Sequence, residues 1–288
     1  MSHYYLHVTI MIKFIAFPMS AHTGVIYWLK ALMLFRICGA DTTAAGLNLM
    51  ARSGQCLSAK MHLISPEKKM ICPKYPSSTG ISSFLHQLIL LNLTRLSLNP
   101  LQSGYEPTRS RDYLVKCNWA LYVENYLEGF HIPYVHSSLN EVIDYGAYTD
   151  ELYDYCCLQL GIAKPGEECF TLSEISPDYG SEIAAYYWWV FPNLMLNYYP
   201  WGLSINIVRP LAQDLTKVSF ITYVSDHSKL DKGAGSGLDR VEREDEAIVE
   251  MVQRGMQSSF YSRGRYSPKR ERGVHHFHRL LTEFLNNE

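Results

Sequence analysis

Hydrophobic and polar positions along this chain change their rhythm near residue 104. Residues 1–80 scatter Gly, Ser, Thr, Met and Cys with no sustained period of 3.6 or 2. Short helices are expected at 25–37 and 83–97, the second (SFLHQLILLNLTRLS) apolar on all sides and in need of burial from several directions. Beyond 104 the pattern sharpens. RDYLV (111–115) is strand-like, and 118–131 takes helical spacing. YYWWVFPNLMLNYY (186–199), LSINIV (203–208) and KVSFITYV (217–224) are rich in aromatic and β-branched residues. With turn signals at Pro200–Gly202 and Pro210–Asp214, they predict consecutive strands of an antiparallel sheet. A Gly/Asp/Ser-rich loop (225–237) precedes a helix over 240–255 that stops at Gly255, and a last helix covers about 274–286. Strands followed by helices predict an α+β domain, a curved antiparallel sheet packed by long helices.

Composition narrows the class. The 288 residues are 47% hydrophobic and 19% charged, enough for a sizeable core and unlike a disordered chain. A net charge of −2 gives no reason to expect nucleic acid as a partner. Residues 1–110 carry 10 Lys/Arg against 3 Asp/Glu, a net of +7, and residues 111–288 carry 16 against 25, a net of −9. The step argues that the two segments differ in origin or role. The apolar run 24–35 is short and holds Lys30, and 4–21 lacks a basic leader and holds Lys13, so neither membrane insertion nor secretion is expected. Seven cysteines, an odd number without CxxC spacing, suit free thiols in a reducing cytoplasm.

Candidate chemistry concentrates in ENYLEGFHIPYVH (124–136). On one helix Glu124, Glu128 and His131 share a face at i, i+4 and i+7. His131 and His136, five residues apart, would diverge by about 140° on a continuous helix. Pro133 interrupts it, so the chain can turn and bring the two rings onto one divalent metal. Glu128 is then placed to accept a ring N–H. The alternative is a helix end whose histidines complement the dipole. A third ligand can come from 243–255, whose apolar stripe Ala247, Ile248, Met251, Val252 and Met256 should face inward, with Glu246 and Glu250 solvated. Glu244 and Asp245 flank that stripe, and periodicity does not choose between them. Two histidines and one carboxylate would form the facial triad of non-heme Fe(II) oxygenases. His275 and His278 in GVHHFH (273–278) are expected to be surface or helix-packing residues. The aromatic run around Trp188, Trp189, Tyr198, Tyr199 and Trp201 is expected in the sheet core, although a cage for a quaternary ammonium group would draw on such residues.

NWALYVENYLEGFHIPYVH (118–136) resembles the signature N-W-x4-E-N-x2-E/D-x2-H-x4-H of Rieske-type non-heme iron oxygenase α subunits. FPNLMLNYYPWGLSINIVRPL (191–211) and the segment 243–278 extend the similarity, which covers about 104–288 and leans toward the branch with choline and glycine-betaine monooxygenases. The resemblance implies a helix-grip (START-like) catalytic domain with mononuclear Fe(II) on His131, His136 and Asp245. It implies that Glu128 links one subunit's iron histidine to the neighbour's Rieske cluster, and that Asn125 and Glu124 line or support the iron pocket. It further implies a homotrimer, O2 and a small organic substrate, a ferredoxin/reductase electron donor, and hydroxylation or oxidative demethylation as the reaction. A Rieske [2Fe–2S] domain needs C-x-H and C-x2-H. None of the seven cysteines provides either, so residues 1–103 are expected to be an atypical basic segment, poorly ordered or artefactual, ahead of a catalytic domain at 104–288. Three accounts of the missing motif are a misjoined gene product, a catalytic half served by a Rieske protein in trans, and a module without redox activity that binds a small ligand or assembles an oligomer.

Overall fold

The structure is a computed structural model that describes Arg95 and residues 104–286. Apart from Arg95, the helices expected at 25–37 and 83–97 and the character expected for 1–103 lie outside the described residues.

Eight antiparallel strands form one sheet: β1 (Gly104–Tyr105), β2 (Arg111–Val115), β3 (Thr149–Tyr153), β4 (Cys156–Ile162), β5 (Ile183–Val190), β6 (Leu194–Tyr199), β7 (Gly202–Ala212) and β8 (Leu215–Val224). Their spatial order is β1-β8-β7-β6-β5-β4-β3, and β2 also pairs with β8. β1 opposes Tyr223 and Val224, whereas β2 opposes Thr216–Phe220, so one edge of β8 is covered in two pieces. The run 186–199 divides into β5 and β6, with Phe191–Asn193 as the connection. β3 and β4 were not anticipated; the polar sequence TDELY shows no clean alternation.

Within residues 104–286 five α-helices accompany the sheet: α1 (Trp119–Leu127), α2 (Ile132–Val135), α3 (Ser137–Val142), α4 (Leu238–Met256) and α5 (Arg272–Asn286). Side chains alternate across a strand, so Trp189 meets α5, its ring 5.5 Å from Phe277, while Trp188 on the other face lies 5.5 Å from Tyr153. Leu121, Val123 and Leu127 of α1, Val249 of α4, and Val274, Phe277 and Leu280 of α5 share that helix-side core with Met195, Val208 and Val218. Full burial of each such side chain contributes roughly 1.5–3 kcal/mol. On the opposite face Arg95 is buried, its guanidinium 2.8 Å from Glu151 and 3.3 Å from Asp178.

Of the apolar stripe expected to face inward on α4, Ile248 packs against the core and the rest does not. Met251 is 49% and Val252 45% exposed, and Met256 is also exposed, while Glu242 and Val249 are the buried positions. Nor is Glu250 simply solvated; it accepts the Lys116 amide at 3.0 Å. The inward face is polar because α4 walls a cavity, and a hydrophobic pattern points the wrong way wherever the interior carries chemistry. Among the described residues no helix is long and apolar enough to cross a membrane.

Candidate metal centre

α1 starts where Asn118 accepts the Ala120 amide at 3.0 Å. The same asparagine donates to the Gln213 carbonyl at 2.9 Å and takes its own backbone partner from Gln253, which fixes α1 against the β7–β8 turn and α4. Trp119 packs edge-on to Phe277 at 5.7 Å. The first two residues of the signature therefore orient the helix.

The helix then stops earlier than its spacing predicts. Leu127 is the last residue, Glu128 caps it, and Gly129 takes φ +60°, a left-handed geometry that suits glycine. A Cβ there would also meet the Tyr148 ring at 3.3 Å. Pro133 is not the break. It lies in the first turn of α2, where its missing N–H costs nothing. His131 and His136 flank this single turn, held by Val135 N–H to His131 O (2.7 Å) and His136 N–H to Ile132 O (3.1 Å). The convergence anticipated from the sequence occurs by a different backbone route.

The two rings stand 4.9 Å apart and nearly perpendicular. Each Nε2 faces Asp245 Oδ1, at 3.4 Å from His131 and 3.1 Å from His136. Each Nδ1 meets a glutamate: His131 pairs with Glu128, and His136 with Glu244 at 2.8 Å. A carboxylate only accepts, so with a cation at the centre both Nδ1 atoms would carry the proton for their glutamates and both Nε2 lone pairs would face the cation beside the Asp245 oxygen. Two lone pairs and a carboxylate oxygen within 4.8 Å of one another share no proton when both rings are neutral, and the donor set fits a divalent cation of the iron class. Among the described residues it is the one such group found. Without a cation, burial works to lower the His136 pKa, and the hydrogen bonds and charges of Asp245 and Glu244 outweigh it and raise it.

Asn125 donates to Asp245 Oδ1 at 2.7 Å and lines the cavity with the triad. Glu124 does not line it. Its carboxylate accepts from His278 Nε2 at 2.7 Å, and Tyr266 pairs with the other nitrogen of that ring. His278, read as a packing residue, thus ties α5 to α1. Both flanking acids of α4 are used, Asp245 toward the rings and Glu244 behind one of them. The bracing role of Glu244 was missed because its partner is 108 residues away. Glu242, unremarked in the sequence, is buried in the cavity wall and bonded by Tyr122 OH at 2.7 Å. Burial and the nearby Asp245 charge raise its pKa well above the ordinary carboxyl range. Tyr126, Tyr148, Tyr187 and Tyr199 complete an aromatic wall, with Tyr148–Tyr187 and Tyr187–Tyr199 centroids 6.4 and 6.0 Å apart.

Comparison with known proteins follows the same lines. A choline monooxygenase of Arabidopsis thaliana is 36% identical over 195 residues, 65% of this chain and 44% of that protein. The carnitine monooxygenase oxygenase subunit of Escherichia coli K12 is 29% identical over 182 residues, 59% of this chain and 47% of that protein. The chain thus spans less than half the length of these relatives. A crystallised quaternary ammonium Rieske monooxygenase matches the fold with a TM-score of 0.55 at 20% identity, over 71% of this chain and 56% of that one. The family described as ring hydroxylating alpha subunit (catalytic domain) matches residues 103–287, a span that holds the whole sheet, all five helices and every residue of the triad. This chain belongs to that family.

Proposed function

We propose that residues 104–288 form the catalytic domain of a monooxygenase that hydroxylates or oxidatively demethylates a small quaternary ammonium compound. The observation that carries this reading is the convergence of two glutamate-braced Nε2 atoms on Asp245 Oδ1 at the wall of an aromatic cavity. His131, His136 and Asp245 would hold Fe(II), which when bound supplies open coordination positions for O2 chemistry. Asn125 holds the Asp245 oxygen in place. Glu128 and Glu244 keep the imidazoles in the metal-binding tautomer. Glu124 supports α1 from behind through His278. The names of the choline and carnitine monooxygenases support the substrate class. In the overall reaction one oxygen of O2 enters a substrate C–H bond and the other leaves as water, which consumes two electrons and two protons.

The Rieske [2Fe–2S] cluster does not fit the residues of this chain, since no C-x-H or C-x2-H occurs in its 288 residues. Electrons would then come from a ferredoxin/reductase through a Rieske protein in trans, whether or not the chain assembles as a homotrimer. Glu128, partly exposed and joined to His131, is the contact on that side. Cytoplasmic placement rests on the thiol-rich composition; the plant relatives are described as chloroplastic. The same missing motif favours a second reading, a ligand-binding domain without turnover.

An anaerobic Fe(II) titration tests the centre. Wild type should bind one equivalent and Asp245→Ala should not; equal weak binding by both would sink the iron site. Iron binding without substrate-dependent O2 uptake, in the presence of a reductase and a Rieske protein, would select the second reading.

A further inference from the structure

Glu242 is 3% exposed, lies one helical turn before Asp245 on α4, and lines the cavity. A buried carboxyl without a cationic partner is costly, since desolvation opposes its charge and any core residue of that shape would be cheaper. Among the described residues its one hydrogen-bond partner is the hydroxyl of Tyr122, 2.7 Å from each carboxyl oxygen. One O–H satisfies a fraction of the acceptor capacity of a carboxylate. Lysine and arginine are absent from the described residues that line the cavity. When ionised, Glu242 therefore brings negative charge beyond what the triad needs, with no Lys or Arg among the described lining residues to offset it. Burial and the Asp245 charge oppose that ionisation, and a cation bound beside the carboxyl would favour it.

The charge count of a loaded centre shows what that surplus does. A divalent metal with Asp245 as its one anionic ligand leaves a net +1 at the triad, which Glu128 and Glu244 offset only from the far side of the two imidazoles. A permanently cationic substrate brought beside it would be repelled, strongly so in a water-poor cavity. A second carboxylate on the same wall removes the repulsion. A quaternary ammonium group has no N–H, so it is recognised by charge and by aromatic faces. The wall offers both, in Glu242 and in Tyr126, Tyr148, Tyr187 and Tyr199.

We propose that Glu242 is the counter-ion of the substrate's ammonium group, a specificity residue that lets a cation bind next to a net-positive metal centre. The inference rests on the quaternary ammonium reading above. It also has a consequence for regiochemistry. With the counter-ion one turn from Asp245, the cationic nitrogen sits close to the triad, so the oxidised carbon belongs to the headgroup or lies within a few bonds of it.

Binding of choline and of its uncharged isostere, with carbon in place of nitrogen, separates charge from shape. Calorimetry on the full chain, with and without Fe(II), gives both affinities for wild type, Glu242→Gln and Glu242→Asp. Glu242→Gln should weaken choline by about tenfold or more and leave the isostere unchanged, while Glu242→Asp retains part of the preference. Unchanged isostere binding also shows that the variant keeps its cavity. The wild-type preference for choline should widen when Fe(II) is absent, because the opposing +1 is gone. If Glu242→Gln keeps the full choline preference, or loses both ligands equally, Glu242 is not the counter-ion, although the substrate class stands. If wild type binds neither ligand, the substrate class fails and takes this inference with it.

Discussion

His131 and His136 present the same atom to Asp245, yet the structures that hold them differ. The His131 side chain is 14% exposed, sits in the turn after α1, and is braced by Glu128 from the same turn. Glu128 also accepts the Phe130 amide, so this arm is a local loop that folds on itself. The His136 side chain is 1% exposed, and its brace, Glu244, comes from α4, where Arg240 holds the second oxygen at 3.0 Å. That arm exists only when α4 is docked on the domain. A local brace can report events at the surface, whereas a remote brace reports that the fold is complete. Under the proposed function, the difference suits a centre that keeps its metal while it takes electrons from outside.

The comparison can be broken at several depths. Asp245 serves both arms, so Asp245→Ala should abolish Fe(II) binding in an anaerobic titration. Glu244→Gln should reduce Fe(II) affinity by about 10–100-fold, because His136 loses the partner that fixes its tautomer. Glu128→Gln should depress donor-dependent turnover more than Fe(II) affinity; a larger affinity loss than that of Glu244→Gln would reverse the assignment of the arms. The pH response of the metal-free protein is a finer test. Burial lowers the His136 pKa, and Asp245 and Glu244 more than restore it, so it stands above 6.5. A raised folded-state pKa gives stability that is full below the unfolded value and lost as pH rises through the raised one. Thermal stability in the presence of chelator should therefore fall as pH rises above 6.5, and Glu244→Gln should flatten that slope. Fe(II) affinity should run the other way across the same window, since the metal needs the neutral ring. The smallest effect is expected on the outer face of α4, where Val252→Thr should change stability by no more than about 0.5 kcal/mol in denaturant unfolding.

Much of this was legible in the sequence, and the exceptions share a cause. The aromatic and β-branched runs gave β5 to β8 because side-chain alternation and β propensity are local. The paired histidines were accessible through residue type and spacing, which left Glu244 and Asp245 open as the third partner; the family resemblance selected Asp245. Pro133 was misjudged as the break because its effect depends on whether it sits inside a helix or at the start of one, and Gly129, two residues upstream of His131, had already ended α1. The inward face of α4 was misjudged because Glu242, which a hydrophobicity pattern assigns to solvent, is buried in the cavity wall on the same helix as Val249. Glu244 as a brace and His278 as a tie to Glu124 depend on contacts across 108 and 154 residues, which local pattern does not encode.

The nine residues of α1 distribute their contacts around the compass. Tyr122 reaches Glu242, Glu124 reaches His278, Asn125 reaches Asp245, and Tyr126 reaches Asn197. Successive residues point 100° apart, so each of these addresses is set by a count of residues from the Asn118 cap. Replacing one residue cuts one tether and leaves the others. Inserting or deleting one residue re-aims all of them together, and moves His131 with them. In evolutionary terms the helix can drift in letters but not in length.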